Sequence, residues 1–246
     1  MGSLDLLPQD VGLVYGDKVY GTIFFLINVW GLKIDPHQYM QWIRDVVGSE
    51  WSRCYIYRQD GLYVARSMGK ELKNHNGDRG CYDTLCEGFV QYDRRVAVGA
   101  PLTNLSSYRE PQFQIHLEEQ KDMYTGDWWL FLGADNKQVG YWPKSLFSHL
   151  SSATGATLLS WAGMAGAMPG QVFPPIGSGH YAEEGTGRSC FFRKVLFKDN
   201  IGNFRQMNEH YMFSRLDSRR YSVKYLNYKG DWGWTMFIGG PGGRAG

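Results

Sequence analysis

Charge imbalance and long hydrophobic sequence are both scarce in this chain. Of its 246 residues, 26 are basic and 24 acidic, which leaves a formal net charge of +2. Without a long basic run, the chain lacks the electrostatic footprint of a nucleic-acid binder, and no nucleic-acid partner is expected. The longest apolar run near the N-terminus, TIFFLINVWGL, falls well short of the ~20 residues a membrane-spanning helix needs. No transmembrane segment and no membrane partner are expected. The opening MGSLDLLPQDVGLVYGD has no basic n-region, apolar h-region or small-residue cleavage site. That leaves an intracellular protein, or a mature or truncated piece of a secreted one.

Cysteine is scarce too, with only Cys54, Cys81, Cys86 and Cys190 present. The C-x4-C spacing of Cys81 and Cys86 is too wide for a C-x-x-C redox motif. No second Cys/His pair lies nearby to complete a zinc site, so neither metal nor cofactor is expected. A short-loop disulfide between Cys81 and Cys86 is the better reading, and it favours an oxidising compartment.

What the chain does have is aromatic side chains, 15% of the residues, and 31 glycines. Aromatic segments punctuated by glycine turns suit β-sheet better than helix. FQIHLEE alternates Phe113, Ile115 and Leu117 with polar neighbours, as a half-buried strand does. DWWLFLG and QVGYWP predict two more strands, joined as a hairpin through ADNKQ. SCFFRKVLF, RQMNEHYMF and YSVKYLNY predict three further strands, and GTIFFLINVW, SRCYIY and CEGFVQY supply the first half of the chain. PKSLFSHLSSA predicts one short helix, with Pro143 in its first turn. DPHQYMQWIRDVV has helical spacing by local rules. Residues 67–79 and 166–179 are expected to be loops, the second carrying three prolines and four glycines.

The fold class expected is all-β: a two-sheet antiparallel β-sandwich with one short helix. Residues 1–19 are assigned to an N-terminal extension and 20–246 to a single domain. Trp128 and Trp129 are adjacent, so on a strand they face opposite ways. One ring should enter the core while its neighbour lines or roofs a concave face.

In this order the segments become recognisable. TGDWWLFLG…VGYWPKSLF, RGCYDTLCEGFVQ, PPIGSGHYAEEG, FIGGPGG and INVWGLKIDPHQYMQWI resemble the sequence blocks of the neprosin family, plant proteins with a prolyl-endopeptidase-type domain. The blocks occur in the family order across most of residues 20–243. The resemblance implies a two-sheet antiparallel β-sandwich, and a strand rather than a helix at QYMQWI. It further implies an extracellular, metal-independent endopeptidase that cuts after proline with two glutamates. The partner implied is a peptide substrate, or an extended polymer if only the groove remains, and the protein is expected to be a monomer. Two carboxyls sharing a water oppose one another's ionisation, so one can act as base while the other donates a proton.

The chain departs from that pattern where it matters. The family's W-G-G-E reads here as Trp161, Ala162, Gly163 and Met164, which puts a thioether at the second glutamate. RCYIYRQDGLY resembles the strand that follows the family's E-A-G-W motif, and about fifteen to twenty family residues before it look missing. Glu50, directly before Trp51, is the only candidate for the first glutamate, with the glycine spacing altered. The family's second disulfide, near the C-terminus, has no counterpart here. Trp161, Trp129 and Trp142 are the candidate cleft residues, flat walls suited to proline or sugar rings. The simpler structural reading puts at least two of Trp128, Trp129 and Trp142 in the core. His180 is expected to be satisfied within a glycine turn, Glu183 and Glu184 to be solvated turn acids, and Glu118 or Glu119 to pair with Lys121. Either the domain is an impaired peptidase, or it is a non-catalytic sandwich that binds extended proline-rich or cell-wall chains.

Overall fold

The computed structural model describes residues 88–96, 104–147, 172–173, 175–199, 201–206, 218–228 and 230–244 in full, and six further strands by backbone course alone. Those six are β1 (Gln9–Tyr15), β2 (Thr22–Asn28), β3 (Arg53–Tyr57), β4 (Gly61–Ala65), β9 (Leu159–Ala165) and β13 (Met212–Arg215). The others are β5 (Val90–Gln91), β6 (Gln114–Lys121), β7 (Trp128–Leu132), β8 (Lys137–Trp142), β10 (Val172–Phe173), β11 (Cys190–Lys198), β12 (Phe204–Gln206), β14 (Ser222–Asn227), β15 (Trp234–Gly239) and β16 (Gly243–Arg244). The protein is all-β, and its strand pairs are antiparallel.

The large sheet runs β14-β15-β11-β2-β6-β7-β8-β5, with β12 also on β11. A smaller sheet has the order β13-β1-β9, and β3-β4 and β10-β16 are two-stranded. Within residues 1–19, Gln9–Tyr15 form β1, the middle strand of the smaller sheet. Its valines, leucine and tyrosine (VGLVY) go unremarked when only motif blocks are sought.

The large sheet is dry on one face across β6, β7, β8 and β11, and at β15 it is buried on both, where Phe191, Phe237 and Ala182 form a second cluster. Lys121 pairs in register with Trp128, and Trp128 with Trp142. Trp128, Leu130, Trp142 and Leu117 from that face are all buried, together with Phe192, Val195, Phe197, Met236 and Ile238. In β11 this spacing skips from 192 to 195, because a bulge between Arg193 and Leu196 inserts one residue opposite β2. Lys194 takes a positive φ of 50° there. The bulge flips the alternation, so Val195 and Phe197 still reach the core.

The short helix expected from Pro143 onward is a single 3-10 turn at Lys144–Leu146. Phe147 has already returned to extended backbone, and its ring is buried in the core. Burial of that ring outweighs the weak helical preference of the segment. The run RQMNEHYMF is split between β12 and β13 rather than forming one strand. Of the loop expected at 166–179, residues 175–179 are irregular apart from an isolated bridge between Ile176 and Gly240, but Val172–Phe173 form strand β10, paired with β16. The segments DPHQYMQWIRDVV and 67–79 lie outside the described residues.

The GGPGG segment has a steric explanation. A Cβ built on Gly239 would collide with the carbonyl oxygen of His180, and one on Gly240 with that of Arg220. Gly240 also has a φ of +148°. Two loops therefore close directly onto the end of β15, with no room for a side chain. Gly239→Ala should cost about 1–3 kcal/mol, the range for overpacking a filled site. Chemical denaturation would show a lowered midpoint, and an unchanged midpoint would rule out the close approach.

Candidate functional site

Met164 lies on β9, and its Cα partner on β1 is Asp10. Asp10 is in turn the partner of Arg215 on β13. Directly opposed residues of antiparallel strands share a face of the sheet. Met164, Asp10 and Arg215 thus form one row across the smaller sheet, and Trp161 stands in register with Leu13. Sequence reading missed Asp10, because it is 154 positions from Met164 along the chain and only the strand register brings the two together. Glu50, Cys81 and Cys86 lie outside the described residues.

The paired tryptophans separate as the pleat demands. Trp128 is 2% exposed and belongs to the core, while Trp129 is half-buried on the opposite face. Trp142, expected in the cleft, is wholly buried with 0% exposure. It stands opposite Trp128 in register and packs edge-on against Phe89 at 4.9 Å, so it is a core residue. On the other face Trp129 lies 4.7 Å from Tyr141 and 5.7 Å from Tyr92. Tyr92 is 65% exposed, and Gln120 is the register partner of Trp129 on the far side. These rings make an aromatic shelf with a polar border.

Two rows along the same face is Glu118, opposite Phe131. Burial raises its pKa, while Lys198 and a hydrogen bond from Asn136 at 3.4 Å pull it back. His116 stands two residues earlier on β6, and burial with nearby Lys194 lowers its pKa. The neighbouring face of β6 carries Glu119 and Lys121, both buried. Lys121 places its ammonium 5.9 Å from the Trp128 ring, a cation–π contact.

The loop GSGHYAEEG is held at both of its acids. Tyr108 donates its hydroxyl to Glu184 Oε2 at 2.8 Å, and His180 Nδ1 is 2.9 Å from Glu184 Oε1. The Tyr108 and His180 rings stack with centroids 4.0 Å apart. Ser222 donates to Glu183 at 2.6 Å and accepts from the Ala182 amide at 2.8 Å. Glu183 and Glu184 therefore clasp the loop to its neighbours and are not simply solvated. His180 is satisfied within the glycine turn. Its partners come from a loop 72 residues earlier and from one turn further along, a pairing that sequence spacing does not reveal.

Among the described residues, no three His, Cys, Asp or Glu side chains gather as a metal site, and no helix is long and apolar enough to cross a membrane. A family model described as Neprosin matches residues 53–241, well over half of the chain. The blocks around 79–91, 125–147 and 174–185 fall inside that match. The INVWGLKIDPHQYMQWI segment and Glu50 precede it.

The clasp has a pH signature. Glu184's pKa is lowered, chiefly by the Tyr108 hydroxyl and then by His180 and Arg188. A carboxyl depressed in the folded state adds stability above its unfolded pKa of about 4.3 and loses it as pH falls through the folded value. Glu184 is partly exposed, so the contribution is small, on the order of 1 kcal/mol or less. Glu184→Gln should lower the melting temperature at pH 6–7, and the gap should close in acid below the ordinary carboxylate range. A gap that persists or widens in acid would contradict the clasp.

Proposed function

The chain belongs to the neprosin family, and from that premise we propose that it is a peptide-binding, glutamic-endopeptidase-type domain with impaired hydrolysis. The observation that carries this reading is Met164 at the family's second glutamate, on a strand of the smaller sheet. Hydrolysis of this kind needs one carboxyl to draw a proton from water and another to give a proton to the departing amine. A thioether can do neither. Glu50 is the proposed first carboxyl, and the substrate class is an extended chain cut after proline. The domain acts outside the cell as a monomer, without metal or cofactor, and carries a Cys81–Cys86 disulfide.

The register of β1 refines the reading. Asp10 is the register partner of Met164 on β1, so a glutamate at position 164 would be paired with an acid across the strands. Two carboxyls in one row raise one another's pKa, which recreates the acid–base division.

A second reading has its own support. The cluster of Trp129, Tyr141 and Tyr92 offers a stepped aromatic surface with a polar border, which suits proline-rich or cell-wall chains bound without turnover. In that case Trp129→Ala abolishes binding while peptide remains intact.

The test is cleavage of a proline-containing peptide at about pH 4, scored by mass spectrometry. Met164→Glu should raise the rate by ~10²–10⁴-fold, the usual contribution of a positioned acid or base. Adding Glu50→Gln or Asp10→Asn to that variant identifies the partner, because only loss of the true partner returns the rate to background. No gain from Met164→Glu in a folded protein would overturn the proposal.

A further inference from the structure

On β11, an interior strand of the large sheet, Arg193 stands in the wall of a pocket of about 170 Å³. Gln112, Gln114, Thr186, Phe191 and Trp232 complete the lining. The guanidinium is half-buried, and the Trp232 ring lies 4.9 Å from its central carbon. Its Nε donates to Gln114 Oε1 at 2.7 Å, and Nη1 reaches the Asp231 carbonyl at 3.5 Å. A guanidinium carries five N–H donors in a planar fork, so these two contacts leave donors over. The nearest acid does not take them. The Asp231 carboxylate is 95% exposed and pairs at 3.5 Å with Lys194, whose ammonium the bulge turns outward.

The rest of the lining matches that surplus. Gln114 accepts from Arg193 through its amide oxygen, which leaves its NH₂ as a further donor on a lining residue. Thr186 adds a hydroxyl. Phe191 and Trp232, 5.0 Å apart, supply the apolar side. Rich in donors and, among the described residues, lined by no carboxylate, the pocket is complementary to an anion with a small apolar body. Its volume corresponds to roughly six liquid waters, which is room for a carboxylate and one compact side chain.

We propose that this pocket binds a carboxylate carrying a small apolar group, as presented by the C-terminus of a peptide or by a small free acid. Arg193 meets the carboxylate through its unused N–H groups, the geometry that makes guanidinium–carboxylate pairs strong and directional. Gln114 holds the fork in place from below, and Trp232 supports its face. The proposal is independent of hydrolysis and stands whether or not residue 164 is restored.

Calorimetric titration of the full chain decides it. The probes are acetyl-Ala-Ala-Val with a free C-terminus, the same peptide as its C-terminal amide, and N-acetylvaline. The free-acid peptide should bind ~10-fold or more tightly than the amide, the least that a charge-assisted bidentate pair should add. Arg193→Met should reduce the acid to the level of the amide, and Thr186→Val at the exposed rim should weaken it by a smaller factor. N-acetylvaline binding as well as the peptide identifies the small acid as the ligand class, and binding by the peptide alone identifies a chain terminus. Equal affinity for acid and amide, no binding of either acid at millimolar concentration, or full affinity in a folded Arg193→Met protein would overturn the assignment. Should that variant fail to fold, the acid–amide contrast in the wild type still decides.

Discussion

A strand turns alternate side chains to opposite faces, and the hairpin of β7 and β8 carries aromatic residues on both. Trp128 and Trp142 meet in register on the dry face, where each is essentially without solvent contact. Removing either ring would cost about 3–5 kcal/mol, a large share of a domain's whole stability. That pair fixes the register of the hairpin. With the register fixed, Trp129 and Tyr141 have no choice but to stand together on the other face. One packing decision thus sets both the core and the aromatic shelf. The β11 bulge does similar work on the far side of the sheet: it keeps Val195 and Phe197 inside, and it places Arg193 and Lys194 where they part company.

Strand content was legible wherever a segment alternated or ran apolar between glycine turns. β6, β7, β8, β11 and β14 appear close to their expected bounds for that reason. Ends and short elements were less legible. The turn at Lys144–Leu146 had local helix signals, but a core position for Phe147 overrode them. β1 was hidden because its residues carry no motif, and its role as the middle strand depends on partners more than 140 residues away.

The candidate site was legible in part. Met164 was visible because a quoted motif framed it, but Asp10 and Arg215 were not, since only the register puts them in its row. Trp142 was read both as a cleft wall and as one of the core tryptophans, and its register with the buried Trp128 places it in the core. The Glu184 clasp and the Arg193 pocket share a cause: both are built from side chains of distant segments. Sequence shows an arginine inside the apolar run CFFRKVLF as an oddity. The fold shows why it is tolerated, with an aromatic face beneath the guanidinium and an amide at its Nε.

The proposed function is at heart chemical: methionine at position 164 would leave the domain able to hold an extended peptide but without a proton donor or acceptor that cutting requires. The most direct measurement is a long incubation of the wild-type protein with a proline-containing peptide at about pH 4, followed by intact-mass analysis of the bound and free peptide. The account predicts that the peptide is recovered whole. Fragments ending in proline, released at the ~1 s⁻¹ or faster typical of competent enzymes, would contradict it.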